Sequence, residues 1–208
     1  MRMKSADSIQ GSIMEAKEPI TTARMYRQLG LRIRNLIVHP AREWQNIHNQ
    51  QASFNDMMST FALPLIGMVA LATFISHLIN QQAFIIELAL KRVGVEFAAL
   101  FGGLFVAWFF IFRVMKYFHF VSSRDVAARL AIYSSSALYL VLLITALIPE
   151  VFFLQIFMFY AFFLIWTGVG NLEGPTPIQK NWFTLVAGLA VLGFPFLIRT
   201  ILLNLITI

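Results

Sequence analysis

The chain has 208 residues, 59% of them hydrophobic and only 12% charged, with a formal net charge of +6 and no cysteine. Soluble domains carry about 25% charged residues, so composition excludes a water-soluble globular domain and leaves one membrane domain as the natural reading at this length. The missing thiols exclude disulfides, thiolate metal sites and a cysteine nucleophile, and the basic balance fits cytoplasmic loops of a membrane protein better than a nucleic-acid surface.

In chain order, residues 1–22 read as a flexible polar tail. Lys4, Asp7, Glu15, Lys17 and Glu18 interrupt it, and it holds no apolar run that could serve as a secretory signal, so a cytosolic N-terminus is expected. Residues 23–56 read as an amphipathic, interfacial helix pair. At about 100° per residue, Met25, Tyr26, Leu29, Ile33, Leu36 and Ile37 share an arc of roughly 120°. Arg24, Arg27 and Arg34 lie opposite, Arg32 sits at the rim of the apolar arc, and Leu31 is out of place. Such a helix suits the anionic cytoplasmic leaflet, with docking against the bundle or a partner protein as the alternative. Then comes "HPAREWQNI": a residue before proline is pushed out of the α region, and Pro40 suits a first helical turn, so His39-Pro40 is a break and restart. Trp44 and Ile47 share a face of the second helix, and Trp44 is expected at headgroup depth or against the cytosolic ends of the bundle.

Residues 57–208 read as the membrane domain. A span needs about 20 mostly apolar residues, and five stretches qualify: 61–79, 95–115, 126–148, 151–172 and 182–203. Asn80-Gln81-Gln82 marks the exit of the first, and Pro149-Glu150 makes the third and fourth an antiparallel hairpin. The loop between the second and third spans carries Arg113, Lys116, Arg124 and Arg129, against Lys91 and Arg92 in the loop before the second, which again places the N-terminus inside and the C-terminus outside. Arg24, Arg27, Arg34, Trp44, Arg113, Lys116, Arg124 and Arg129 are thus the candidate lipid or partner surface.

Candidate chemistry is sparse. His39, Glu43 and His48 crowd the hinge, but His39 lies outside the helix and Glu43 and His48 diverge around it, so no metal site is expected. Ser134, Ser135 and Ser136, with Tyr139, are the most polar stretch inside a span. They have no evident base to activate a nucleophile, and they read as close packing, together with Tyr160 and Gly168, or else as a polar path. Glu96, Glu150 and Arg199 are the ionisable residues of the spans; all fall near outer ends, where interfacial solvation is the expectation and an outer polar cluster the alternative. No cofactor is implied.

The break-and-restart with its tryptophan, five spans, "AIYSSSALYLVLLITALIP" in the third, and a Tyr- and Gly-bearing fourth that ends in a proline loop resemble the Yip domain family (Ypt-interacting protein, "Yip-one"), in its prokaryotic branch. The matching positions are Pro40, Trp44, Tyr133, Pro149, Tyr160, Gly168 and Pro175. The resemblance implies an all-α, five-helix membrane bundle with a cytosolic N-terminus and no enzymatic activity. Eukaryotic members carry an Asp-Leu-Tyr-Gly-Pro signature near the first span where this chain has only "FALP", so the resemblance does not extend to Rab GTPase binding. The reading is therefore a non-catalytic adaptor or accessory subunit of a bacterial inner membrane, with membrane lipids and another membrane or cytosolic protein as partners. A small-solute or lipid transporter or channel component is the alternative, suggested by the serines with Gln155 and Asn171.

Overall fold

The computed structural model describes residues 22–50, 52–80, 86–121, 123–170 and 172–206. The polar tail, apart from Thr22, lies outside the described residues, as do Gln81, Gln82 and Asn171. Seven helices are described: α1 (Thr22–Val38), α2 (Pro40–Asn49), and five long enough and apolar enough to cross a membrane, α3 (Phe54–Ile79), α4 (Ile86–Phe118), α5 (Arg124–Leu147), α6 (Pro149–Gly170) and α7 (Pro177–Ile206). The bundle end that carries α1 and α2 is called proximal below, and the other end distal.

Helix α3 starts earlier than hydropathy alone places it, because Ser53 and Asp56 form a reciprocal capping box at its first turn that satisfies N–H groups a helix start leaves orphaned. Pro64 has no N–H to give the preceding turn. A wide turn over Met58–Ala62, in which the Leu63 N–H reaches back to Met58 O, is the local adjustment that keeps the helix continuous. Helix α4 likewise begins before residue 95: Glu87, Lys91 and Arg92 end the apolar run without ending the helix, since they project outward and Glu87 pairs with Lys91 one turn on at 2.8 Å.

Helix α6 departs most from a uniform span. Pro149–Phe159 is wound in 3-10 turns kinked at Val151 (φ −91°, ψ 29°), and only Tyr160–Gly170 is an α-helix. The tight half exposes Phe152, Phe153, Ile156, Phe157 and Phe159, a surface that lipid rather than water covers.

Helix α5 is the centre. It packs on all four other long helices, and every residue from Leu130 to Tyr139 is buried. Its small residues Ala127, Ala128, Ala131, Ala137 and the three serines let the neighbours approach closely. Helices α4 and α7 form the broadest contact and approach closely at Gly103, where a Cβ would lie 2.7 Å from the Pro195 backbone. Two turns earlier on α7, a Cβ at Gly188 would run into the ring of Phe162.

Candidate functional site

The proximal end is built around the helix pair. The centre of the apolar arc of α1 and the Trp44 face of α2 are covered by the bundle, with Leu29, Leu36, Trp44 and Ile47 0–4% exposed, whereas Tyr26 and Ile37 at the flanks of the arc stay 47% and 49% exposed. Trp44 lies on Gly168 of α6, where any Cβ would come within 2.8 Å of the indole and 2.9 Å of Leu130, so glycine is required by the tryptophan that sits on it. His48 Nε2 meets Gly168 O at 3.0 Å, and the edge of the Tyr133 ring packs against the indole at 6.2 Å. The hinge end reaches further along α6, to Tyr160. That residue lies ten positions from Gly170, about 15 Å along an α-helix.

Bundle side chains finish both short helices. The last carbonyls of a helix have no internal partner. The Tyr160 hydroxyl donates to Ile37 O at 3.0 Å and lies 3.4 Å from Leu36 O, at the end of α1. Arg129 donates to His48 O at 3.0 Å and to Gln50 O at 2.7 Å, at the end of α2. A cation at a helix C-terminus also meets the favourable end of its dipole. The expectation of Arg129 on the exposed basic surface therefore fails for its guanidinium, which is turned inward onto α2.

Beneath the pair lies a polar hub on a cavity of about 860 Å³. Arg32 reaches Glu43 at 3.3 Å, the Tyr133 hydroxyl at 2.9 Å and Gln50 Oε1 at 2.7 Å. The Asn35 and Asn46 amides donate to the other Glu43 oxygen at 3.2 and 3.3 Å. Glu43 is 5% exposed, and a carboxylate that deep is sustained only by such partners. Arg32 and Glu43 escaped the sequence reading as site residues, yet both carried a signal: an arginine on the rim of an apolar arc, and the lone acid of a basic hinge.

The remaining basic residues face outward. Arg27, Arg34 and Arg42 are exposed on the pair, as are Arg24, Arg113, Lys116 and Arg124. Arg113 lies over the Phe109 ring and Arg124 over Phe112. Between them Tyr117 and Val121 are each 81% exposed, which makes the patch amphiphilic rather than merely charged.

Within the bundle, Ser135 and Ser136 donate back to Ala131 O and Tyr133 O of their own helix at 2.7 and 2.6 Å. Ser134 Oγ is buried without a hydrogen-bond partner among the described residues. Tyr139 is buried at the same level. At the distal end Glu96 is 5% exposed and pairs with Arg199 of α7 at 3.2 Å, so it is not freely solvated: it lines a cavity between the helices. Glu150 stays exposed and does not line the cavity that Glu96 and Arg199 share. Among the described residues no group of three His, Asp or Glu side chains is placed to hold a metal.

No curated protein and no solved structure matches the chain. The family model described as Yip1 domain matches residues 34–200, from the last turn of α1 into the distal part of α7. That stretch takes in the hinge, the Trp44 seat and all five membrane-spanning helices, and on it the chain belongs to the Yip1 domain family of membrane proteins.

Proposed function

We propose that this protein is a non-catalytic membrane adaptor or accessory subunit of a bacterial inner membrane, with the N-terminus in the cytosol, and that its proximal end is the surface it offers to anionic headgroups and a protein partner. The observation that carries the reading is the joint exposure of Arg27, Arg34, Arg42, Arg113, Lys116 and Arg124 at one end of the molecule, with Tyr117 and Val121 among them. A basic excess favours the cytosolic side, and each such charge near an anionic leaflet contributes about 1 kcal/mol. Aromatic and arginine side chains together also make the commonest anchors of protein interfaces. The distal end offers less free charge, since Lys91 is paired with Glu87 and Arg199 with Glu96.

Photo-crosslinking from a probe at residue 117 in native membranes tests this. A partner captured stoichiometrically by the parent protein and lost in the R27E/R34E/R42E variant supports the adaptor. Flux of small solutes through liposomes containing only this protein overturns it in favour of a transporter.

A further inference from the structure

The distal cavity is a second, separate feature, and nothing in the adaptor reading uses it. It has a volume of about 420 Å³ and is lined by Arg92, Glu96, Arg199, His77 and Gln155, with Phe152 among its apolar members. That volume falls in the usual range for small-ligand sites, about 300–1,000 Å³. We propose that this cavity binds the headgroup of a phospholipid bearing a primary ammonium, with its phosphodiester on Arg92 and Arg199 and its ammonium on Glu96.

Three observations carry this. The first is depth. At 1.5 Å per residue Arg92 and Arg113 of α4 are about 31 Å apart, and Lys180 and Arg199 of α7 about 28 Å, each close to the roughly 30 Å thickness of a hydrocarbon core. The charges on these two closely packed helices thus bracket the apolar slab, and the cavity opens where headgroup meets acyl chain. Glu96 is one turn further in than Arg92, about 6 Å.

The second is charge. Arg199 is the one ion-pair partner of Glu96 among the described residues, and Arg92 has none. A carboxylate accepts more hydrogen bonds than one such pair supplies. A bare phosphate arriving at the two arginines would face Glu96; a headgroup that brings its own ammonium turns that carboxylate from a repulsive neighbour into a partner. His77, 9% exposed and without a hydrogen-bond partner among the described residues, also lines the cavity, and its ring supplies a further contact to a phosphate or ester oxygen. The third is the wall. Phe152 is 69% exposed beside Phe153, Ile156 and Phe157, so an amphiphile seated here has an apolar surface on which to lay its chains.

The test is native mass spectrometry of the full chain in a delipidating detergent, titrated with phospholipids of identical acyl chains and ethanolamine, choline or glycerol headgroups. Ethanolamine lipid should be retained about tenfold more strongly than choline lipid, the equivalent of one charge-assisted hydrogen bond that a quaternary ammonium cannot donate. R92Q, at an exposed position, should weaken retention of the ethanolamine and glycerol lipids alike, and E96Q should erase the ethanolamine preference. If E96Q fails to fold, the headgroup series on the parent protein still decides. Equal retention of all three headgroups overturns the proposal. So does displacement of the lipid by millimolar inorganic phosphate, which assigns the cavity to a free anion.

Discussion

Replacing Trp44 by alanine tests how the surface helices are held. The side chain is fully buried, its indole rests on the bare Cα of Gly168, and its neighbours His48 and Tyr133 are themselves fixed by hydrogen bonds. Removing a buried tryptophan costs about 3–5 kcal/mol. Because Trp44 contributes to the docking of α2 and not to the contacts among the long helices, that cost should fall on local opening of the pair rather than on the bundle. At 1.36 kcal/mol per decade, amide exchange over residues 44–49 should accelerate by about two to four orders of magnitude, while α4 and α7 keep their parental rates. G168A adds a methyl group to a site with no room, an overpacking worth about 1–3 kcal/mol, and should open the same segment without altering α2 itself. In the double variant most of the G168A penalty should vanish, since the indole it strikes is gone. Exchange in α2 that stays within about twofold of the parent in W44A, or that rises equally in every helix, would refute the reasoning.

Three further outcomes are expected. R129M strips the His48 and Gln50 carbonyls of their donor and should cost about 1–3 kcal/mol, read as faster proteolysis between α2 and α3; R129K should recover only part, because one ammonium nitrogen replaces the two guanidinium nitrogens that reach the two carbonyls separately. E96A and R199A should be strongly non-additive, with a coupling of about 0.5–3 kcal/mol in thermal unfolding in detergent, and additive effects would show that the ion pair is incidental. G188A should lower the melting temperature through its collision with Phe162, by an overpacking cost of about 1–3 kcal/mol, and F162L should restore part of the loss.

The long helices were legible because hydropathy over twenty residues is a property of composition, and the hinge was legible because proline restricts its neighbour whatever the tertiary fold does. Helix starts were less so. Ser53 and Asp56 spell a capping box, but hydropathy hides it by starting later, at Phe61. Conversely, Lys91 and Arg92 look like the start of a helix and instead lie within α4, at exposed positions. The 3-10 winding of Pro149–Phe159 has no periodic signature in a stretch that is apolar on every side. Side-chain partners were the least legible. Arg129 and Arg124 are indistinguishable in a count of basic residues, yet one holds the end of α2 and the other is exposed beside Phe112, a difference decided by five positions along one helix, which turn them to different faces. The Glu96–Arg199 pair joins residues more than one hundred positions apart, and only the antiparallel packing of α4 on α7 brings them together.

The way α1 and α2 are terminated has a consequence for when they exist as helices. Neither ends on a left-handed cap of its own; their final carbonyls are satisfied by Tyr160 and Arg129, which belong to the bundle. Short helices are marginal in water even with good propensities, and here the donors that complete them arrive only on contact. Winding and docking are therefore one cooperative transition rather than two successive ones. Residues 22–50 cut from the chain should be largely coil, and within the chain the segment cannot be released as a preformed arm: to let go of the bundle is also to unravel.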